Sequence, residues 1–135
     1  MGELSYVTLG VADLARSVGF YRDGLGLNLV RANEQLAFFD LGGVRLALYP
    51  ALAQETGAAA PEPRAGHNSL SLNLPSKGAV DQLLAQALRA GAKSLRSPAA
   101  PPWGGYRGYL RDPDGFIWEL VWHPDYVRRP TNSKE

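Results

Sequence analysis

Residues 106–122, YRGYLRDPDGFIWELVW, read as two strands folded back on each other. Asp112-Pro113-Asp114-Gly115 is turn chemistry, and the runs Tyr106 to Leu110 and Phe116 to Trp122 flank it. Along the second run Phe116, Trp118, Leu120 and Trp122 point one way, toward a covering helix. Ile117, Glu119 and Val121 point the other way. A carboxylate between Ile117 and Val121 is partly withdrawn from water, and desolvation makes a carboxylate a usable general base. The competing reading pairs Glu119 with Arg107 or Arg111 across the hairpin.

Working back from this hairpin, Lys93 to Leu95 is a short strand candidate followed by a proline-rich stretch. Ser76 can cap a helix carrying Val80, Leu83, Leu84, Ala87 and Leu88, which Gly91 ends. Before it Leu70, Leu72 and Leu74 alternate with Ser69, Ser71 and Asn73. His67 opens that polar face, which fits a wet pocket or the water side of an outer sheet.

The same order stands about sixty residues earlier. Leu4 to Val11 alternates as a strand, with Leu4, Val7, Leu9 and Val11 as its apolar set. Asp13 can cap a helix bearing Leu14, Val18, Tyr21 and Leu25, stopped by Gly24 and Gly26. Three strands follow, Leu27 to Arg31, Leu36 to Leu41 and Val44 to Tyr49, the last two joined by Gly42-Gly43. Residues 50–66, with Pro50, Gly57, Pro61, Pro63 and three successive alanines, form an exposed linker. The expected fold is α+β, two βαβββ modules whose curved mixed sheet surrounds a cleft. One domain spans 1–123, with module one at 3–50, a linker at 51–66, module two at 67–123 and a polar tail at 124–135.

Composition narrows the function. The 135 residues carry a net charge of +1 with scattered basic residues, so no stripe invites nucleic acid. No apolar run approaches the ~20 residues that span a bilayer. Glu3 leads straight into a strand pattern instead of a leader, and cysteine is absent, so a cytoplasmic location is expected. Without cysteine, thiolate metal sites and thiol nucleophiles are excluded. Histidine occurs only at His67 and His123, and His123 beside Pro124 reads as a surface residue. Neither Gly24-Leu25-Gly26 nor Gly42-Gly43 opens a helix after a strand, so neither is a phosphate loop. Trp103-Gly104-Gly105-Tyr106 offers flat apolar walls for a ligand, or a packed closing loop.

Val7-Thr8-Leu9-Gly10-Val11-Ala12-Asp13-Leu14, Ser17, Phe20-Tyr21 and Gly24-Leu25-Gly26-Leu27 resemble the opening signature of the vicinal-oxygen-chelate (glyoxalase/bleomycin-resistance/dioxygenase) family. Asp112-Pro113-Asp114-Gly115 with Trp118-Glu119-Leu120 resembles its closing signature, and the Trp-Gly-Gly-Tyr segment resembles a bacterial subgroup without an assigned reaction. The resemblance implies a divalent ion held by one residue on the first and last strands of each module. Those positions fall on Tyr6, on or near Leu46, on His67 and on Glu119, of which only His67 and Glu119 are ordinary ligands. Leucine has no donor, and a phenolate must be made from a phenol of reference pKa about 10. Catalytic zinc normally keeps three protein ligands. No cofactor is therefore expected. If an ion binds, His67 and Glu119 would hold Zn, Ni, Fe or Mn.

The resemblance then supports binding or sequestering of a small organic ligand by Tyr6, Leu46, Ser69, Ser71, Asn73, Trp103, Tyr106 and Arg107. The near-neutral charge argues against cationic bleomycin itself. The alternative is a lyase, isomerase or dioxygenase-type enzyme with Glu119 as base and a weakly held divalent metal. Nothing specific favours a bare interaction module. A homodimer is implied by the relatives.

Overall fold

One strand order occurs twice. A computed structural model of the chain describes residues 2–58 and 68–126. The first module runs β1 (Tyr6–Leu9), α1 (Leu14–Gly19), a π-helical turn Phe20–Gly24, β2 (Asn28–Ala32), β3 (Ala37–Asp40) and β4 (Arg45–Leu48). After a short helix α2 (Leu52–Thr56), the second runs β5 (Leu70–Asn73), α3 (Lys77–Arg89), β6 (Lys93–Ala99), β7 (Tyr106–Arg111) and β8 (Ile117–Trp122). The chain divides into two compact units after residue 62. Each holds a four-stranded mixed sheet, ordered β1-β4-β3-β2 in the first and β5-β8-β7-β6 in the second. In both, the first strand lies parallel to the last, and the remaining pairs are antiparallel. The α+β class and the two βαβββ modules stand as the sequence implies.

Local chemistry fixes the helices. The Asp13 carboxylate accepts from the Arg16 N–H at 3.1 Å, and Ser76 Oγ accepts from the Ala79 N–H at 3.0 Å. Val80, Leu84 and Ala87 form the buried stripe of α3, which packs on β7 and β8 against Leu110, Trp118 and Leu120. In the first module Phe20, Tyr21 and Leu25 are buried with Phe39, Leu46 and Leu48. The Tyr21 ring meets Phe20 edge-on at 5.1 Å and Phe39 at 6.1 Å.

Several expectations shift. Leu4 is 71% exposed and lies outside β1. The linker contains α2. β6 runs to Ala99, well beyond Leu95, and passes through Pro98. It can do so because it is an edge strand, where proline lacks no ladder partner. Its register against β7 shifts twice, and a Cβ on Gly108 would meet the Arg96 carbonyl and the Pro98 ring at 3.1 Å each. Glycine at 108 thus lets the irregular edge lie close. Among the described residues no helix is long and apolar enough to cross a membrane.

Candidate functional site

The face of the second sheet opposite α3 gathers the polar chemistry. Pairing puts Glu119 of β8 beside Ser71 of β5 and Tyr109 of β7. Arg107 is level with Val121 and Arg111 with Ile117, so alternation places both on Glu119's face. Arg96 of β6 pairs with Tyr109 and joins them.

Both oxygens of the Glu119 carboxylate are held. Ser71 Oγ donates to Oε1 at 2.6 Å, and the Tyr109 hydroxyl donates to Oε2 at 3.1 Å. Burial pushes the Tyr109 phenol above its ordinary pKa, and donation to the Glu119 carboxylate raises it further. The positive charges of Arg107 and Arg96 oppose that rise. The Arg107 guanidinium carbon lies 5.8 Å from the Tyr109 ring centroid. Beside this group Asn68, Ser69, Leu95, Arg96, Tyr109 and Ile117 line a hollow of about 380 Å³, within the range of small-molecule sites.

The sequence-derived set divides here. Ser69, Ser71, Arg107 and Glu119 come together, and Asn73 lies on the same face level with Val121. Tyr106 does not join them. It pairs with Trp122 on the α3 side, and its hydroxyl donates to Asp81 of α3 at 2.8 Å, which raises its pKa. Trp103 is half exposed and stacks on His123 at 5.6 Å. The Trp-Gly-Gly-Tyr segment is thus not a wall on the Glu119 face. Among the described residues Glu119 forms no ion pair with Arg107 or Arg111, so the cross-hairpin salt bridge is absent there.

In the first module Tyr6 is half exposed, with its ring 5.6 Å from Phe38. Leu46 is fully buried and pairs with Val7 and Phe39, whereas Tyr6 pairs with Arg45. Tyr6 and Leu46 therefore lie on opposite faces, and Arg45 and Ala47 share the face of Tyr6. His67 lies outside the described residues.

The sequence alone assigns no role to Tyr109 or Arg96 and offers Arg111 only as an ion-pair partner of Glu119. The signal for Tyr109 was available: counting back from the Asp112–Gly115 turn places it opposite Glu119.

A family model for the Glyoxalase/Bleomycin resistance protein/Dioxygenase superfamily matches residues 3–120. The chain belongs to that superfamily. A glyoxalase-related enzyme from Fulvimarina pelagi superimposes with a TM-score of 0.89 at 34% identity, over 98% of this chain and 96% of that one. A probable lactoylglutathione lyase of Vibrio parahaemolyticus is 26% identical over 89% of this chain and 90% of its own length. The metallothiol transferase FosB of Staphylococcus haemolyticus is 42% identical, but over 45 residues. The match spans 32% of that relative's length and 33% of this chain.

Superfamily members that use a divalent ion need a convergent donor set. Among the described residues no three His, Asp or Glu side chains come together. The one carboxylate on the β5–β8 face accepts from two hydroxyls, and the Arg96 and Arg107 cations lie nearby. The described residues do not make a divalent-metal site.

Proposed function

We propose that this glyoxalase-superfamily protein binds or sequesters a small organic molecule in the hollow of its second module. The carrying observation is the Ser71–Glu119–Tyr109 group beside a hollow lined by Asn68, Ser69, Leu95, Arg96 and Ile117. Apolar walls at Leu95 and Ile117 with a few converging polar groups are the composition of a small-molecule site. Tyr109 and Ser71 orient Glu119 from both neighbouring strands, so its remaining lone pairs are presented without side-chain reorganisation.

A second reading, an enzyme of the lyase, isomerase or dioxygenase type with Glu119 as base, draws support from the lactoylglutathione lyase relative and from the oriented carboxylate. Elemental analysis of the purified protein separates the two. Sub-stoichiometric Zn, Ni, Fe and Mn supports binding alone, and near-stoichiometric metal moves the conclusion to the enzyme. A thermal-shift screen with aromatic and keto-acid ligands tests the site itself. Ligand at 100 times its Kd adds about 2.7 kcal/mol to the folded state, and Tyr109→Phe should reduce that gain. If no such compound raises the melting temperature, the binding reading fails.

A cytoplasmic homodimer completes the proposal. It draws on the absence of cysteine, on the family and on the exposed Leu4 and Val30 of the first module. Sedimentation at micromolar concentration tests the dimer.

A further inference from the structure

The second sheet's open face is unbalanced in charge. Arg96, Arg107 and Arg111 all lie on it, and Lys93 pairs beside Arg111 at its end. Among the described residues Glu119 is its one carboxylate, since β5 contributes only Ser71 and Asn73 and β8 otherwise Ile117 and Val121. The whole chain carries a net charge of +1, so this excess is local.

Nor does the carboxylate neutralise its neighbours. Glu119 stands in register between Arg107 and Arg111, yet its oxygens accept from hydroxyls. A guanidinium presents five N–H donors and needs acceptors. Among the described residues Arg111 Nε is buried with no hydrogen-bond acceptor. Arg107 lies over the Tyr109 ring, a contact that restrains its guanidinium while the N–H edges stay available. Arg96 lines the hollow itself. Both cations lie close enough to Tyr109 for their charge to act on its phenol.

Resting on the small-molecule reading above, we infer that the hollow selects an organic oxyanion, held by Arg96 in its lining and reached by Arg107 from over the Tyr109 ring on the same face. A planar carboxylate or a phosphonate satisfies forked guanidinium donors two at a time. Arg111 extends the positive field along the same face. Glu119 stands between Arg107 and Arg111, bonded to Tyr109, where it would repel a second anion but accept from a ligand hydroxyl or amine. The favoured ligand thus combines an acidic group with a hydrogen-bond-donating one, and a hollow of about 380 Å³ limits it to a small molecule.

The test is a titration of the full chain, followed by proton–nitrogen correlation spectra, with four probes of similar shape. Phenylacetate and phenylphosphonate are anionic, 2-phenylacetamide is neutral and phenethylammonium is cationic. The anions should move the Arg96 and Arg107 side-chain N–H signals and the Tyr109 and Ile117 amides. They should bind at least about tenfold more tightly than the amide. Arg96→Gln and Arg107→Gln should each remove most of that preference, while Arg107→Lys, which keeps the charge and the fold, should retain part of it. Equal binding of acid, amide and ammonium at the same amides would overturn the oxyanion inference and leave the small-molecule reading standing. Anion affinity unchanged by both glutamine variants would also overturn it. If none of the four moves the Asn68, Ser69, Tyr109 or Ile117 signals, both fall together.

Discussion

Ser71 and Glu119 are 48 residues apart in the chain and joined by a 2.6 Å hydrogen bond across the parallel β5–β8 pair. Tyr109 closes the other carboxylate oxygen from β7. The carboxylate is therefore tied to both neighbouring strands, and its orientation depends on all three registers.

Ser71→Ala and Tyr109→Phe should each lower unfolding stability by about 0.5–1.5 kcal/mol, Ser71 at the low end because it is exposed. Both bonds position one carboxylate, so losing the first weakens the second. The double variant should lose less than the sum of the singles, by at least about 0.5 kcal/mol. Urea unfolding of the four proteins measures it. Strict additivity would mean that the two hydroxyls act independently.

Tyr109 also sets a pH signature. Burial first, then donation to Glu119, raises its phenol pKa above the ordinary value. The folded state thus keeps a proton that the unfolded chain has already lost. The stability it contributes is complete below about pH 10, where both states are protonated. It falls as pH rises through the folded-state pKa. Tyrosinate absorbance, recorded for the protein and for Tyr109→Phe, gives a difference curve with its midpoint above that of free tyrosine. Glu119→Gln should bring the midpoint down, because the charged acceptor is gone. A midpoint at or below the free value would contradict the burial and bonding described.

The alternation that predicts strands also carries most of the site, because period two assigns every residue of β5 and β8 to a face. Ser71 and Glu119 were legible for that reason. The Trp-Gly-Gly-Tyr run reads in sequence as one aromatic cluster, whereas β7 sends Tyr106 and Tyr109 to opposite faces. Leu46 lies in the core while its strand neighbours Arg45 and Ala47 share the face of Tyr6, because one step along a strand exchanges the core face for the open one. Arg96 could not be placed from sequence: β6 reaches it through an irregular register, and Pro98 reads locally as the end of a strand. The hydroxyl–carboxylate bonds depend on interstrand register, which composition does not encode.

Opposite faces make a direct comparison of the two tyrosines possible. Tyr106→Phe removes a bond to Asp81 on the helix side, and Trp103→Ala removes a ring that stacks on His123. Both should leave ligand-induced stabilisation unchanged, to within a factor of about two in Kd, while Tyr109→Phe weakens it by about fivefold or more. Calorimetric titration of the three variants with one ligand from the screen decides. A Tyr106 effect equal to that of Tyr109 would place the ligand on the α3 side.

Gly104 and Gly105 separate two kinds of strain in adjacent residues. Both have positive φ, +95° and +81°, so alanine at either forces a side chain into a backbone region that costs about 1–3 kcal/mol. At Gly104 an added Cβ would meet nothing within 4 Å. At Gly105 it would sit 2.6 Å from the Trp122 carbonyl oxygen and 3.0 Å from the Trp103 ring. The Trp122 carbonyl belongs to the end of β8 and cannot swing aside as a side chain could. Gly104→Ala should therefore show the backbone cost alone. Gly105→Ala should lose clearly more, with the Trp103–His123 stack disturbed and the indole fluorescence changed. Equal urea midpoints for the two variants would mean that the loop slides off β8 without penalty, and that Gly105 is needed for its φ and not for close packing.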